Sequence, residues 1–282
     1  MTPSNSYSNI SHNVGRSFQA GHPRVVLTIG GSDPTGGAGI QADLKTFQHL
    51  GVHGLSVITA VTVQNTTGVI STNPVSAELV QAQLNALSED VAIHAIKIGM
   101  LTTADVVDVI TNFVKKKDVP MVLDPILASS NSVRFLDDAT LKALKNTVCP
   151  LVSIITPNIP EASALTGIYI NSEADMLRTA LRLNEAGAKC ILLKGGHATA
   201  PEARDLFFDG TEIEWLTAPR SAKQVHGTGC VLSSAIASGL ALGMPMLESV
   251  IAAKEFITEM IKAAAPLGRG QEIFQFTSSH FV

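Results

Sequence analysis

Two patterns alternate along the chain. Short runs that are almost wholly apolar, RVVLTIG from Arg24, LSVITAVTV from Leu55, AIKIGM from Ala95, PMVLDP from Pro120, LVSIITP from Leu151 and KCILLKG from Lys189, are separated by stretches with helical periodicity. Those stretches run from Ile40 to Leu50, Ser76 to Glu89, Thr103 to Lys117, Asp137 to Val148 and Glu173 to Ala186. Strands that are apolar throughout are covered on both faces, and each helix is long enough for a crossover, so the pattern predicts an α/β fold with a mostly parallel sheet. LFFDGTEIEWL, from Leu206, differs: Asp209-Gly210 between alternating apolar runs predicts an antiparallel edge hairpin. Two further helices, Gly229 to Leu242 and Met246 to Ala264, complete the pattern.

Composition narrows the class. The 282 residues are 45% hydrophobic, enough for one large core, and no Pro/Gly/Ser linker divides them, so residues 23–282 are expected to form one domain. Residues 1–22, MTPSNSYSNISHNVGRSFQAGH, are polar, lack the apolar stretch of a signal peptide, and are expected to be a disordered tail. No window reaches the roughly 18 apolar residues of a membrane span. Net charge is −4 and the only basic run is Lys115 to Lys117, which argues against a nucleic-acid partner. Cys149, Cys190 and Cys230 show neither CxxC spacing nor a Cys/His cluster, so no disulfide framework or zinc site is expected, and a reducing cytoplasm fits.

Ligands of open parallel sheets gather at the carboxyl ends of the strands, so candidate chemistry lies in the residues just after each apolar run. The first run leads into GGSDPTGGAG, Gly30 to Gly39, with five glycines whose backbone can approach a ligand closely. It matches neither the Walker loop nor GxGxxG. Asp43 in the first helix and Gln64 at the end of the second run carry a carboxylate and a carboxamide suited to a small polar ring. Asp124 lies at the end of the fourth run, and Asn158 and Glu161 come after the fifth as NxxE: hard oxygen ligands for Mg²⁺ or, equally for Asn158, a helix cap marked by Pro157 and Pro160. Lys194 closes the sixth run beside two glycines, placed to reach a phosphate. Finally QVHGTGCVLSSAIASG, Gln224 to Gly239, puts Gly227, Thr228 and Gly229 at a helix start whose free N–H groups form an anion hole. Cys230 there is either a thiol of lowered pKa or a small packing residue.

Taken together, LTIGGSDPTGGAGIQADLKTFQHLGVHGLSVITAVTVQN, KIGML, VLDP, ITPNIPEA, LLKGGH and HGTGC resemble the hydroxymethylpyrimidine/phosphomethylpyrimidine kinases, from about Arg24 to the final helices. The resemblance implies a three-layer α/β/α ribokinase-like fold and ATP-dependent phosphorylation of 4-amino-5-hydroxymethyl-2-methylpyrimidine to its monophosphate and diphosphate in thiamine biosynthesis. It implies ATP and Mg²⁺ as cofactors, a monovalent-ion requirement left open, and a homodimer. By the same resemblance Ala38, Asp43, Gln64 and Met100 meet the pyrimidine, and Asp124, Asn158 and Glu161 serve Mg²⁺. Lys194, Asn158, Thr228 and Gly229 meet the ATP phosphates, and Gly227 to Cys230 form the catalytic anion hole with Cys230 as base. One departure stands out: where many relatives carry a lysine-serine-glycine segment over the phosphates, this chain has ILASSNSVRFLDD after Pro125. A pyridoxal or pyridoxine kinase is the alternative within the class, with Gln64 and Met100 the discriminating positions. A non-catalytic pyrimidine-binding protein is the alternative outside it.

Overall fold

The computed structural model describes residues 23–129, 134–196 and 202–276. The expected tail at 1–22, residues 130–133 of the atypical segment and His197 of the KGGH run lie outside the described residues.

Nine strands form one sheet in the order β3-β2-β1-β4-β5-β6-β7-β8-β9. The parallel part comprises β1 (Val25–Ser32), β2 (His53–Asn65), β4 (Ala95–Ile98), β5 (Met121–Leu123), β6 (Ile154–Ile155) and β7 (Cys190–Leu193). Antiparallel strands close both edges: β3 (Gly68–Pro74) on β2, and the hairpin β8 (Glu202–Phe208) and β9 (Ile213–Pro219) on β7. The hairpin forms where Asp209-Gly210 places it, but its loop spans four residues rather than two, because the Asp209 carboxylate accepts the N–H groups of Thr211 and Glu212 while Gly210 takes φ +96°. The edge strand β3 has no counterpart in the sequence pattern. Its residues are mostly exposed, so it carries no apolar run.

Eight α-helices cover the sheet. On one face lie α1 (Gly39–His49), α7 (Thr228–Ala241) and α8 (Met246–Ala263), packed on Val26, Val122, Ile154 and Leu192. On the other lie α2 (Ala77–Asp90), α3 (Ala104–Val114), α4 (Asp138–Ala143) running into a π-helical turn (Leu144–Val148), α5 (Ile159–Thr166) and α6 (Glu173–Glu185), packed on Leu27, Ile29, Ile96, Ile98 and Leu123. Successive strand residues therefore enter opposite cores, as the pleat requires. Side-chain caps at Ser76, Thr103, Asp137 and Ser172 accept N–H groups of the first turns and set where four of the predicted helices begin.

This winding positions the site. After β1 the chain turns outward to β2 and β3, then returns through α2 to place β4 on the opposite side of β1. The loops leaving β1 and β4 therefore diverge, and a crevice opens between them. No helix among the described residues is long and apolar enough to cross a membrane.

Candidate active site

The carboxyl ends of β1, β2, β4, β5 and β7 and the start of α7 line a single cleft of ≈ 1390 Å³. A pocket for one small ligand is typically about 300–1,000 Å³, so this cleft has room for two side by side.

At one end stand the residues with anion chemistry. Lys194 Nζ donates to Asp124 Oδ1 at 2.9 Å, and Asp124 also accepts from Thr156 Oγ1 at 3.3 Å. Against this pair lies the start of α7. The N–H groups of Thr228, Gly229 and Cys230 precede the first intrahelical bond, from Val231 to the Gly227 carbonyl, so they are available to an anion. Gly229 is glycine for space: a Cβ there would sit 3.1 Å from Asp124 Oδ2 and 3.2 Å from Lys194 Nζ. Gly227 holds φ +83°, and a Cβ on it would lie 2.0 Å from the Gly37 carbonyl oxygen. The two glycine-rich turns thus meet backbone to backbone. Lys194 is held from below, its N–H bonding the Pro157 carbonyl, while Asp205 accepts the next N–H, of Gly195, at 2.8 Å and pairs with Lys254.

Asn158 and Glu161 form a reciprocal capping box on α5: Glu161 N–H donates to Asn158 Oδ1 at 2.9 Å, and Asn158 N–H to Glu161 Oε2 at 2.8 Å. The cap reading of Asn158 is therefore realised. Glu161 is nevertheless unusual, because burial pushes its carboxyl up to about 7; Lys194 pulls it down and Asp124 pushes it further up. Among the described residues no group of three or more His, Cys, Asp and Glu converges as a metal cage.

Cys230 corrects an expectation. A helix start is expected to lower the thiol's pKa, but burial pushes it up to about 12. Lys97 opposes that shift, Asp43 and Asp124 add to it, and the neighbouring Gly39 N–H opposes it weakly. Complete desolvation outweighs the dipole.

At the other end, Met100 lies over Gly31, where a Cβ would come 2.7 Å from its Cε, and its carbonyl accepts from Thr59 Oγ1 at 2.6 Å. Gln64 reaches the cleft from β2, within 2.8 Å of His226 Nε2. Ala38 lines the cleft, but its N–H donates to Asp33 Oδ2 at 2.8 Å, so it has no free backbone donor for a ligand. Asp43, expected to meet the substrate directly, is instead engaged by Lys97 Nζ at 2.9 and 3.0 Å, Thr28 Oγ1 at 2.6 Å and Ser234 Oγ at 2.8 Å. A carboxylate with four such hydrogen bonds is a structural hub that ties β1, β4 and α7 to α1.

The sequence reading missed Lys97, Asp33, His226 and Asp205 as site residues. Lys97 carries a signal: a lysine inside a four-residue strand that is otherwise apolar must find a buried counter-ion. Asp33 and His226 lie inside motifs whose glycines dominate their interpretation.

A doubly wound sheet with an anion-binding helix start, a lysine and an adjacent polar cleft at its strand ends defines a phosphotransferase of the ribokinase-like class. Comparison with known proteins agrees. The family model described as phosphomethylpyrimidine kinase matches residues 33–275, and the chain belongs to that family. A hydroxymethylpyrimidine/phosphomethylpyrimidine kinase of Rhizobium meliloti is 45% identical over 249 residues, covering 88% of this chain and 94% of that one. A thiamine biosynthesis bifunctional protein of Geobacter sulfurreducens is 43% identical over 87% of this chain and half of its own length (50%). Among solved structures, phosphomethylpyrimidine kinase from Clostridium difficile is 40% identical with a TM-score of 0.74, covering 83% of this chain and 98% of that one. Pyridoxal kinase of Bacillus subtilis, solved as an ADP complex, is 33% identical with a TM-score of 0.82, covering 89% and 96%.

Proposed function

We propose that this protein phosphorylates 4-amino-5-hydroxymethyl-2-methylpyrimidine with ATP, and then the resulting monophosphate, in thiamine biosynthesis. The observation that carries this reading is the seam at Gly227 and Gly37, which sets an anion hole with Lys194 and Asp124 directly beside a polar cleft lined by Met100 and Gln64. The family's activity and the two-ligand volume of the cleft support it.

Phosphoryl transfer through a loose transition state asks mainly for positioning and charge neutralisation. Lys194 and the N–H groups of Thr228, Gly229 and Cys230 hold the transferring phosphoryl and the phosphates behind it. The donor set fits Mg²⁺, which takes one or two carboxylates plus water and phosphate oxygens rather than an all-protein cage. Asp124 and Glu161 would hold the ion, and a divalent cation would favour the ionised Glu161 carboxylate that burial, with a smaller push from Asp124, disfavours. When bound, the ion supplies charge neutralisation at the phosphate oxygens. The thiolate form of Cys230, a minor species at neutral pH, takes the hydroxymethyl proton late in the first transfer and becomes the thiol. In the second the acceptor is a phosphate monoester, already largely ionised at neutral pH, and no base is needed.

The test is product formation from ATP and the pyrimidine alcohol, its monophosphate, and pyridoxal, assayed in parallel. Turnover of the two pyrimidines well above that of pyridoxal is expected. Preferred turnover of pyridoxal would establish the second reading, which the backbone match to the Bacillus subtilis enzyme favours. Absence of any product would leave only a binding protein.

A further inference from the structure

His226 stands immediately before the Gly227 turn, and its ring is fixed from three sides. Its backbone N–H bonds the Glu272 carbonyl at 2.9 Å, a Cβ on Gly37 would come 2.8 Å from its Cδ2, and Nε2 lies 3.0 Å from Asp33 Oδ2. The same Nε2 lies 2.8 Å from Gln64 Nε2, with the carboxamide nitrogen placed against the ring. One ring nitrogen therefore faces both a carboxylate and an amide.

The chemistry of the carboxylate decides which group donates. Asp33 accepts from Thr35 N–H at 2.9 Å, from Thr35 Oγ1 at 2.9 and 3.0 Å, and from Ala38 N–H at 2.8 Å. An ionised carboxylate has only acceptors to offer, so the nitrogen facing it carries its hydrogen. A protonated nitrogen cannot also accept from an NH₂ group. The two ends of a carboxamide exchange by a half-turn about its last bond, and the end that suits a donor is the oxygen. A half-turn of the carboxamide from its placement lets the Gln64 oxygen share the one Nε2–H with Asp33 Oδ2 in a three-centre bond, and it turns the Gln64 NH₂ toward the cleft. A shift in pairing register between Val63 and Gln64 accompanies this aim, as irregularities near binding sites commonly do.

We propose that Asp33 and His226 act as positioning residues that lock the Gln64 carboxamide with its NH₂ toward the ligand, making Gln64 a hydrogen-bond donor selective for a heterocycle whose facing ring nitrogen has a free lone pair. This rests on the pyrimidine reading above and adds how the ring is told from its tautomeric analogues. An aminopyrimidine offers such a lone pair. The corresponding oxo analogue, a pyrimidinone with hydrogen on the ring nitrogen beside the carbonyl, sets donor against donor and is rejected.

The experiment compares KM and kcat for the aminopyrimidine alcohol and its oxo analogue in wild type, His226→Leu, His226→Gln, Gln64→Ala and the double variant His226→Leu/Gln64→Ala. Loss of one hydrogen bond's worth of orientation raises KM for the amino substrate about 3- to 10-fold in His226→Leu. KM for the oxo analogue changes less, so the preference ratio collapses. His226→Gln, whose amide nitrogen has hydrogens for both Asp33 and the Gln64 oxygen, retains most of the ratio. In the double variant, adding His226→Leu to Gln64→Ala changes KM little, because the histidine acts through Gln64. An unchanged ratio in a folded His226→Leu, or losses that simply add in the double variant, would overturn the inference while leaving the pyrimidine reading intact. If His226→Leu does not fold, failure of His226→Gln to retain the wild-type ratio has the same force. Absence of turnover of the aminopyrimidine alcohol by wild type overturns the pyrimidine reading, and this inference with it.

Discussion

Two lysine–aspartate pairs lie on the same side of the sheet, close to Cys230, and they differ in one respect. Lys97 and Asp43 are sealed, at 1% and 0% exposure, with the bonding directions of Asp43 filled by Thr28, Ser234 and the lysine itself. Lys194 and Asp124 are open on one side, at 13% and 2%, and face the cleft through the gap that Gly229 leaves. The same ion pair is mortar in one place and an unfinished binding site in the other. What separates them is whether the surrounding side chains complete the coordination or leave it for a ligand.

The largest expected effect comes from breaking the sealed pair. Lys97→Met leaves the Asp43 charge buried without its counter-ion and should cost about 3–5 kcal/mol in chemical denaturation. Adding Asp43→Asn, which removes the charge and keeps hydrogen bonding to Thr28 and Ser234, should restore more than half of that. If the double variant is no more stable than the single, Asp43 is not held by charge. Next is Cys230, which feels Lys97, Asp43 and Asp124 together. Cys230→Ala should lower kcat for the hydroxymethyl acceptor by about 10²–10⁴-fold and for the phosphate acceptor much less. Because the thiol keeps its proton up to about 12, wild-type kcat for the first acceptor should climb about tenfold per pH unit across the neutral range, with a flat profile removing Cys230 as base.

Breaking the open pair should hit activity instead of the fold. Lys194→Met is expected to reduce kcat by about 10²–10³-fold and to cost less than half the stability lost in Lys97→Met, since Asp124 keeps Thr156 and gains access to water. The smallest effect concerns Glu161. Its carboxyl titrates near 7 in the folded protein against an ordinary 4.5, so the folded state holds a proton that the unfolded chain has lost between those values. Stability should therefore fall as pH rises from about 4.5 to 7, by up to about 3 kcal/mol, and hold level above. Glu161→Gln keeps the capping box and should flatten that slope; an unchanged slope would place its origin elsewhere.

Most of the fold was legible because its strands are uniform and its helices capped. Six apolar runs became the six parallel strands, and Ser76, Thr103, Asp137 and Ser172 begin helices where the pattern implies them. The elements that escaped have weak local signal: β3 is mostly exposed, and α5 spans eight residues whose Asn158 and Pro160 signal a boundary more clearly than a helix; β6 was foreseen but keeps only two ladder residues of its seven-residue run. In the site, Lys194, Asp124 and the Gly227 turn meet as expected, since each comes at a strand end or opens a helix. Asp43 was found at the cleft, but its partner was not, because nothing local to α1 reveals that Lys97, 54 residues away, points into the same core. Long-range pairing of charges is a property of the winding, and sequence spacing does not encode it.

The contact at Gly227 and Gly37 has a consequence for diversification. Gly227 tolerates no side chain, since a Cβ there would sit 2.0 Å from the Gly37 oxygen, and a Cβ on Gly37 would have to displace the side chains of His226 and Ile273. The boundary between the two halves of the cleft is thus closed to mutation at Gly227 and costly to change at Gly37, whatever acceptor is in demand. Under the proposed function, selection for a new acceptor would work mainly on the rim, Gln64 and Met100 first among it, with the Gly227 turn kept in place. Enzymes for different vitamin precursors can then share one backbone, as the overlap with a pyridoxal kinase illustrates.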